Sequence, residues 1–215
     1  MAVKTIQLET WHRQKHYQFF TSSTGSTRLS LTQTLDVTGL VAYCKLHSLS
    51  FYYSLIFLVT QSANDIAGFR QRIEKGLPVE YDKLDPLFTG INTGDELFKL
   101  VMGTMTASLT DFVTQTKHQS LMQTEHFPMD DFIHRHDILN ITCYPWGDFS
   151  SLQVKPVQSH HQDTGIPFIA WGQYQLQDER FKLSLHLEVS HCFLDAIHLY
   201  QFKTKLEDKI SGLHV

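Results

Sequence analysis

Cysteine is scarce in this sequence, and the few residues present do not pair by spacing. The 215-residue chain holds 3 cysteines, Cys44, Cys143 and Cys192, which stand far apart and form no C-x-x-C pair. An odd number at wide spacing argues against the disulfide framework of a secreted domain. The sequence therefore predicts reduced thiols and a cytoplasmic location.

Charge of one sign and long apolar runs are also missing. The formal net charge is -4, and no basic stripe of the kind that binds nucleic acid is present. The longest apolar stretch, residues 51–59, is far shorter than the roughly 20 residues that cross a bilayer. The N-terminus lacks the apolar segment of a signal peptide. We therefore expect no nucleic-acid partner and no membrane association.

Several motifs of nucleotide, hydrolase and metal sites do not occur. The sequence contains no G-x-G-x-x-G, no G-x-x-x-x-G-K-[ST] and no G-x-S-x-G. These absences argue against a dinucleotide-binding protein, a P-loop nucleotide-binding protein and a hydrolase with a nucleophile elbow. Two close histidine pairs, His134 with His136 and His160 with His161, lack a further ligand at the usual spacing. The sequence therefore predicts no metal site.

Apolar residues, by contrast, are plentiful. They make up 42% of the chain, which is enough for one substantial core. No stretch rich in proline, glycine and serine divides the chain. We therefore predict a single domain over residues 1–215.

Helical and strand-like patterns are mixed along this domain. Apolar residues at three- and four-residue spacing predict helices from Trp11 with Thr10 as cap, over 36–47, over 51–66, from Asp95 through Val113, and after Asp195. Alternation predicts strands over 28–35, 79–81, 138–143, 149–154, 168–176 and 183–189, with a turn at 177–180. Because the strands cluster late and join by short turns, we predict an α+β fold, a mixed α/β two-layer sandwich.

One spacing is typical of acid–base chemistry. His191-x-x-x-Asp195 follows the clearest strand and precedes a helix, a junction at which an imidazole is held rigidly. Its apolar neighbours favour the neutral imidazole that a general base requires. The same spacing also occurs at His126 and Asp130, and a core histidine with a satisfied hydrogen bond is the alternative interpretation of His191.

Five segments resemble the chloramphenicol acetyltransferase family, in the family's order and over about 185 residues. They are W-H-R-Q-K-H-Y-Q-F-F at 11–20, F-Y-Y at 51–53, F-R-Q-R-I at 69–73, N-I-T-C-Y-P-W at 140–146 and S-H-C-F-L-D-A at 190–196. The resemblance implies an acyltransferase fold, acetyl-CoA as co-substrate, and a homotrimer with active sites between subunits.

The resemblance also implies roles for the matching polar residues. His191 would be the base that takes the proton of the acceptor hydroxyl, and Asp195 would pair with Arg13 to hold the site's shape. Thr142 matches a serine whose hydroxyl donates to the tetrahedral oxyanion. Without the resemblance, Arg13 and Thr142 would be ordinary residues of a helix and a strand.

Binding residues are implied in the same way. The acceptor pocket would be lined by Phe20, Asn140, Trp146, Leu152, Val154 and Ala170, of which the last replaces a threonine. Tyr174 would lie near the adenine of CoA. Ser50 and Gln173 stand where the family carries lysines beside the 3′-phosphate, and Ala196 replaces the motif glycine.

The expected function is O-acetylation of chloramphenicol, which inactivates the antibiotic. The altered pocket leaves two alternatives open. One is an acyltransferase of the same fold with a different small-molecule acceptor. The other is a catalytically impaired trimeric binding module, supported by the replaced glycine and lysines.

Overall fold

A computed structural model describes residues 2–22, 28–92, 94–154 and 163–213. The strands are β1 (Val3–Thr5), β2 (Arg28–Asp36), β3 (Gln71–Glu74), β4 (Leu77–Tyr81), β5 (Asp85–Gly90), β6 (Lys99–Met102), β7 (Ile138–Tyr144), β8 (Phe168–Gly172), β9 (Gln175–Gln177) and β10 (Arg180–Ser190). The helices are α1 (Gln14–Ser22), α2 (Thr38–His47), α3 (Phe51–Asn64), α4 (Ala67–Arg70), α5 (Leu109–Met122), α6 (Met129–Phe132) and α7 (Ala196–Ser211). A short 3-10 turn, Leu8–Thr10, precedes α1.

The main sheet is mixed, with strand order β2-β10-β8-β7-β5-β6 and β9 paired to β10. The pairs β5–β7 and β7–β8 are parallel, and the other pairs are antiparallel. A smaller antiparallel sheet has the order β1-β4-β3. Helices α2, α3, α5 and α7 pack together or on the main sheet. The α+β prediction, with its helical layer on a sheet, is confirmed.

The longest strand, β10, shows why these residues form the core. Its alternate residues Leu183, Leu185, Leu187 and Val189 are at most 1% exposed, because they point into the helical layer. The turn before it holds Asp178 and Glu179 at φ 50° and 62°, the left-handed pair of a tight hairpin. The sequence predicted both the alternation and the turn.

Arg72 explains one of the motif matches. Its guanidinium is fully buried and donates to five backbone carbonyls, those of Phe69, Gln71, His136, Ile138 and Gly165. Burial lowers the pKa of this arginine to about 9. The F-R-Q-R-I segment is therefore a structural clamp between β3 and the start of β7.

Four predicted elements need correction. The predicted helix from Asp95 is wrong, since residues 99–102 form β6 and the helix begins only at Leu109. Residues 149–154 form no strand, and the 168–176 strand is broken between β8 and β9. The first helix begins at Gln14, and Thr10 donates its hydroxyl to Gln7 instead of capping the helix.

Candidate active site

Arg13 holds the turn that follows β10. Its Nε donates to the Cys192 carbonyl at 3.2 Å, and one terminal nitrogen donates to the His191 carbonyl at 3.1 Å. The two terminal nitrogens also donate to Asp195 at 2.6 and 3.1 Å, one to each carboxylate oxygen. Such a bidentate pair is directional, and Arg13 is only 7% exposed. The structure thus brings Arg13, His191 and Asp195 together.

Asp195 links this turn to the last helix. The hydrogen bond from Arg13 holds the pKa of the Asp195 carboxyl below its usual value, so the group is ionised at neutral pH. One carboxylate oxygen lies 3.1 Å from Nδ1 of His191, but Nδ1 is buried and makes no hydrogen bond to any described residue. The Asp195 N–H donates to Nδ1 of His198 at 2.9 Å.

The imidazole of His191 is fixed on its flat side by Phe20. Their ring centroids are 4.4 Å apart with an interplanar angle of 15°, which is stacking. The side chain of His191 is 32% exposed, so a ligand can reach it. Phe20 therefore lies against the predicted base.

Thr142 lies on the sheet, away from this turn. Its Oγ1 is 2.8 Å from Oγ1 of Thr89. Both residues line a cavity of about 510 Å³, which is mostly apolar and is called the apolar cavity below. Its wall also includes Leu87, Leu100, Met129, Phe132, Ile133, Arg135, His136, Ile138, Asn140, Ile141, Val154, Ile166 and Phe168. Of the residues predicted for the acceptor pocket, Asn140 and Val154 line this cavity.

The other predicted acceptor residues lie elsewhere. Ala170 is 1% exposed and sits beside Thr142 on the neighbouring strand β8. Trp146 is 69% exposed and contacts the ring of Tyr144. Neither Trp146 nor the half-buried Leu152 lines the apolar cavity as it stands in one chain.

A second cavity opens beside the start of α3. This aromatic cavity measures about 470 Å³ and is lined by Phe51, Tyr52, Tyr53, Thr89, Gly90, Ile91, Cys143, Pro145, Trp171, Gly172, Gln173 and Tyr174. None of these described lining residues has a charged side chain. The predicted CoA residues Gln173 and Tyr174 belong to it, whereas Ser50 caps α3 by accepting the Tyr53 N–H.

Thr89 is the residue that sequence reasoning missed. It lines both cavities, so they share a wall at this point of β5. A single threonine in an unremarked strand carries no local signal. By contrast, Tyr52 falls within the F-Y-Y match and could have been found.

His191 and Thr142 do not meet within one chain. Thr142 pairs with Ala170, and Ala170 pairs with His186 on the next strand. His191 follows His186 by five positions. β10 ends at Ser190. With a rise of about 3.4 Å per residue and about 4.8 Å between strands, a line extended along β10 to His191 puts the two Cα positions roughly 20 Å apart.

Two further expectations concern Ala196 and metals. Ala196 is the first residue of α7 and has a negative φ, so the backbone there does not require glycine.

Among the described residues, no group of three His, Cys, Asp or Glu side chains could hold a metal, and His160 and His161 lie outside those residues. None of the described helices is long and apolar enough to cross a membrane.

Comparisons with known proteins place the sequence in one family and match its fold to a solved structure. The family model described as chloramphenicol acetyltransferase matches residues 1–207. Chloramphenicol acetyltransferase 3 of Escherichia coli is 26% identical over 97% of each chain, and a chloramphenicol acetyltransferase of Staphylococcus aureus is 28% identical over 98% of this chain and 100% of its own. A solved chloramphenicol acetyltransferase structure superposes with a TM-score of 0.86 at 21% identity, covering 96% of this chain and 99% of its own.

Proposed function

Because the chain belongs to the chloramphenicol acetyltransferase family, we propose that residues 1–215 form one domain that transfers acetyl from acetyl-CoA to a hydroxyl of chloramphenicol. The observation that carries this proposal is the arrangement around His191. A partly exposed imidazole stacks on Phe20 and lies beside a carboxylate that Arg13 locks in place. Such a group can accept a proton from an acceptor hydroxyl without moving.

The proposed reaction is direct transfer between two bound substrates. With Nδ1 facing Asp195, Nε2 of His191 takes the acceptor's proton, and the acceptor oxygen attacks the thioester carbonyl. The hydroxyl of Thr142 donates to the oxyanion that forms. When the tetrahedral centre collapses, the thiolate of CoA leaves and receives the proton from His191. No acyl-enzyme is needed, because holding both substrates in place supplies much of the rate.

The two cavities suit the two substrates. The aromatic cavity offers apolar walls for the pantetheine arm, with Tyr174 as a surface for adenine. Asn140 and Val154 line the apolar cavity together with Thr142, and the acceptor would bind there. The shared wall at Thr89 would let the thioester and the hydroxyl meet near Thr142.

We further propose that the active unit is a homotrimer with sites between subunits. The support is the separation of roughly 20 Å between His191 and Thr142, estimated from strand geometry. A base and an oxyanion donor must act on the same carbonyl, so one chain cannot supply both. In a trimer, His191 of one subunit would face the cavities of its neighbour.

A second candidate is an acyltransferase with another acceptor. Ala170 lacks the hydroxyl that the family's threonine would offer. It pairs with Thr142 across neighbouring strands, so an acceptor bound near Thr142 would have one hydrogen-bonding group fewer. A binding module without catalysis is less well supported, because Arg13, His191 and Asp195 are assembled. A cytoplasmic location stays a prediction from the cysteine pattern.

The test is release of free thiol by the purified protein incubated with acetyl-CoA and chloramphenicol. His191→Ala should lower kcat by about 10²–10⁴-fold, which is the usual contribution of a positioned base, with the fold retained. His126→Ala is the matched control, since it removes an exposed histidine of the same spacing, and it should leave kcat unchanged. Equal kcat in wild type and His191→Ala would refute the mechanism. Thiol release with other hydroxyl acceptors but not with chloramphenicol would favour the second candidate.

A further inference from the structure

Thr89 occupies an unusual place between the two cavities. It lies in β5, lines both the aromatic and the apolar cavity, and is half-buried. No other described residue belongs to the linings of both cavities. Its side chain is therefore well placed to influence the chemistry at the shared wall.

Two contacts fix Thr89 in position. The phenol of Tyr52, on α3, donates to the Thr89 carbonyl at 2.6 Å, which holds the backbone of β5 at this point. The hydroxyl of Thr89 lies 2.8 Å from that of Thr142. Among the described residues, each of these two hydroxyls has the other as its only hydrogen-bond partner.

We propose that Thr89 is a positioning residue whose hydroxyl donates to Oγ1 of Thr142 and so aims the Thr142 proton at the oxyanion. This inference rests on the proposed function, in which Thr142 stabilises the transition state. A hydroxyl has one proton and two lone pairs. If Thr142 donated to Thr89, its proton would be turned away from the reacting carbonyl.

The direction of the bond follows from what each hydroxyl has to do. The contact itself is compatible with either hydroxyl as the donor, and the proposed role of Thr142 selects the direction, because its proton has to be free for the oxyanion. Thr142 can then donate to the oxyanion while it accepts from Thr89. A hydroxyl that accepts one hydrogen bond becomes a better donor of another, since chained hydrogen bonds polarise each other.

The experiment compares Thr89→Val, which keeps the shape and removes the hydroxyl, with Thr89→Ser, which keeps the hydroxyl. Chloramphenicol and acetyl-CoA are the substrates, and thiol release is the readout. We expect Thr89→Val to lower kcat about tenfold, the worth of one hydrogen bond, with both KM values within about twofold. Thr89→Ser should keep kcat near wild type. Thr89→Ala serves as a second variant in case valine disturbs the fold, and thermal melting reports on that.

A double-mutant cycle separates this inference from the proposed function. Thr142→Val alone should lower kcat about 10²–10³-fold, and adding Thr89→Val should lower it no further, because Thr89 acts only through Thr142. Independent, multiplying effects would overturn the inference, as would a raised KM at unchanged kcat or a serine variant as slow as valine. If Thr142→Val itself left kcat unchanged, the role of Thr142 in the proposed function would be refuted, and the role of Thr89 that depends on it would be refuted as well.

Discussion

At the scale of single residues, Arg13 and Asp195 form the contact on which the geometry of the site depends. Their side chains are 182 positions apart in sequence, yet one guanidinium binds the carboxylate and the two carbonyls of the turn that carries His191. The carboxylate is 32% exposed, whereas the Arg13 side chain is 8% exposed. Loss of the carboxylate charge would leave a nearly buried cation without its partner.

Asp195→Asn should therefore destabilise the fold in a pH-dependent way. The pKa of Asp195 lies below its usual value of 3.8, so its ionised form stabilises the folded state, and this stabilisation is lost as the pH falls through the folded pKa. We expect a loss of about 2–3 kcal/mol near neutral pH, less than for a fully buried pair because water screens the exposed carboxylate.

Thermal melting of both proteins as a function of pH measures this effect. The difference in Tm should be constant above about pH 5 and should shrink below the usual Asp pKa of 3.8. Asp208→Asn, on the exposed side of α7, is the control and should melt like wild type. A Tm difference that stays the same down to acid pH would show that the charge on Asp195 is not what stabilises the turn.

At the scale of elements, the start of α3 bears on how CoA is held. Ser50 caps the helix, and none of the described residues that line the aromatic cavity is charged. A phosphate that meets no cation gains only neutral hydrogen bonds, which are roughly half as strong as charge-assisted ones. We expect kcat/KM for acetyl-CoA and acetyl-dephospho-CoA to agree within about tenfold.

Kinetics with both donors, at low and high salt, tests this expectation. Gln173→Lys should lower the KM for acetyl-CoA and leave that for the dephospho form alone. Ser50→Lys should have the same effect on KM but also cost about 1 kcal/mol of stability, because it removes the cap of α3. A preference of a hundredfold or more for acetyl-CoA would mean that a basic residue outside the cavity lining, such as Lys203 or Lys205, binds the 3′-phosphate.

The elements also show where sequence reasoning succeeds and fails. Strand β10 was predictable because one buried face imposes strict alternation. The helix predicted from Asp95 failed because Leu97, Phe98 and Val101 happen to share a helical spacing, although Leu97 is 70% exposed and Val101 pairs with Phe88 in β5. That pairing is long-range and leaves no trace in the local pattern.

Two residues between β6 and α5, a glycine and a serine, indicate that the helix begins later than Asp95. Gly103 has no room for a side chain, since an added Cβ would lie 2.9 Å from Pro86. Ser108 accepts the Asp111 N–H and begins α5. A site residue such as Thr89 had no such signal, because its significance depends on Thr142, which comes from another strand.

At the scale of the whole molecule, the separation of His191 from Thr142 predicts complementation. His191→Ala and Thr142→Val should each be nearly inactive alone. If they are unfolded together and refolded, mixed trimers would pair an intact His191 with an intact Thr142 from its neighbour, restoring about a quarter of wild-type activity for random assembly of closed rings.

Thiol release after co-refolding, compared with each variant refolded alone, measures this. A mixture of separately refolded trimers is the control and should stay inactive. No recovery in the co-refolded sample, with trimers confirmed by size, would place both residues in the same subunit's site and contradict the inter-subunit arrangement.

Ala196 has a consequence for how relatives of this chain are recognised. The position follows the aspartate of the motif, opens α7 and has an ordinary negative φ, and alanine is a better helix former than glycine. The backbone of this chain therefore does not require glycine at that position. A search pattern that insists on it would discard chains like this one, in which the histidine, the aspartate and the arginine are all in place.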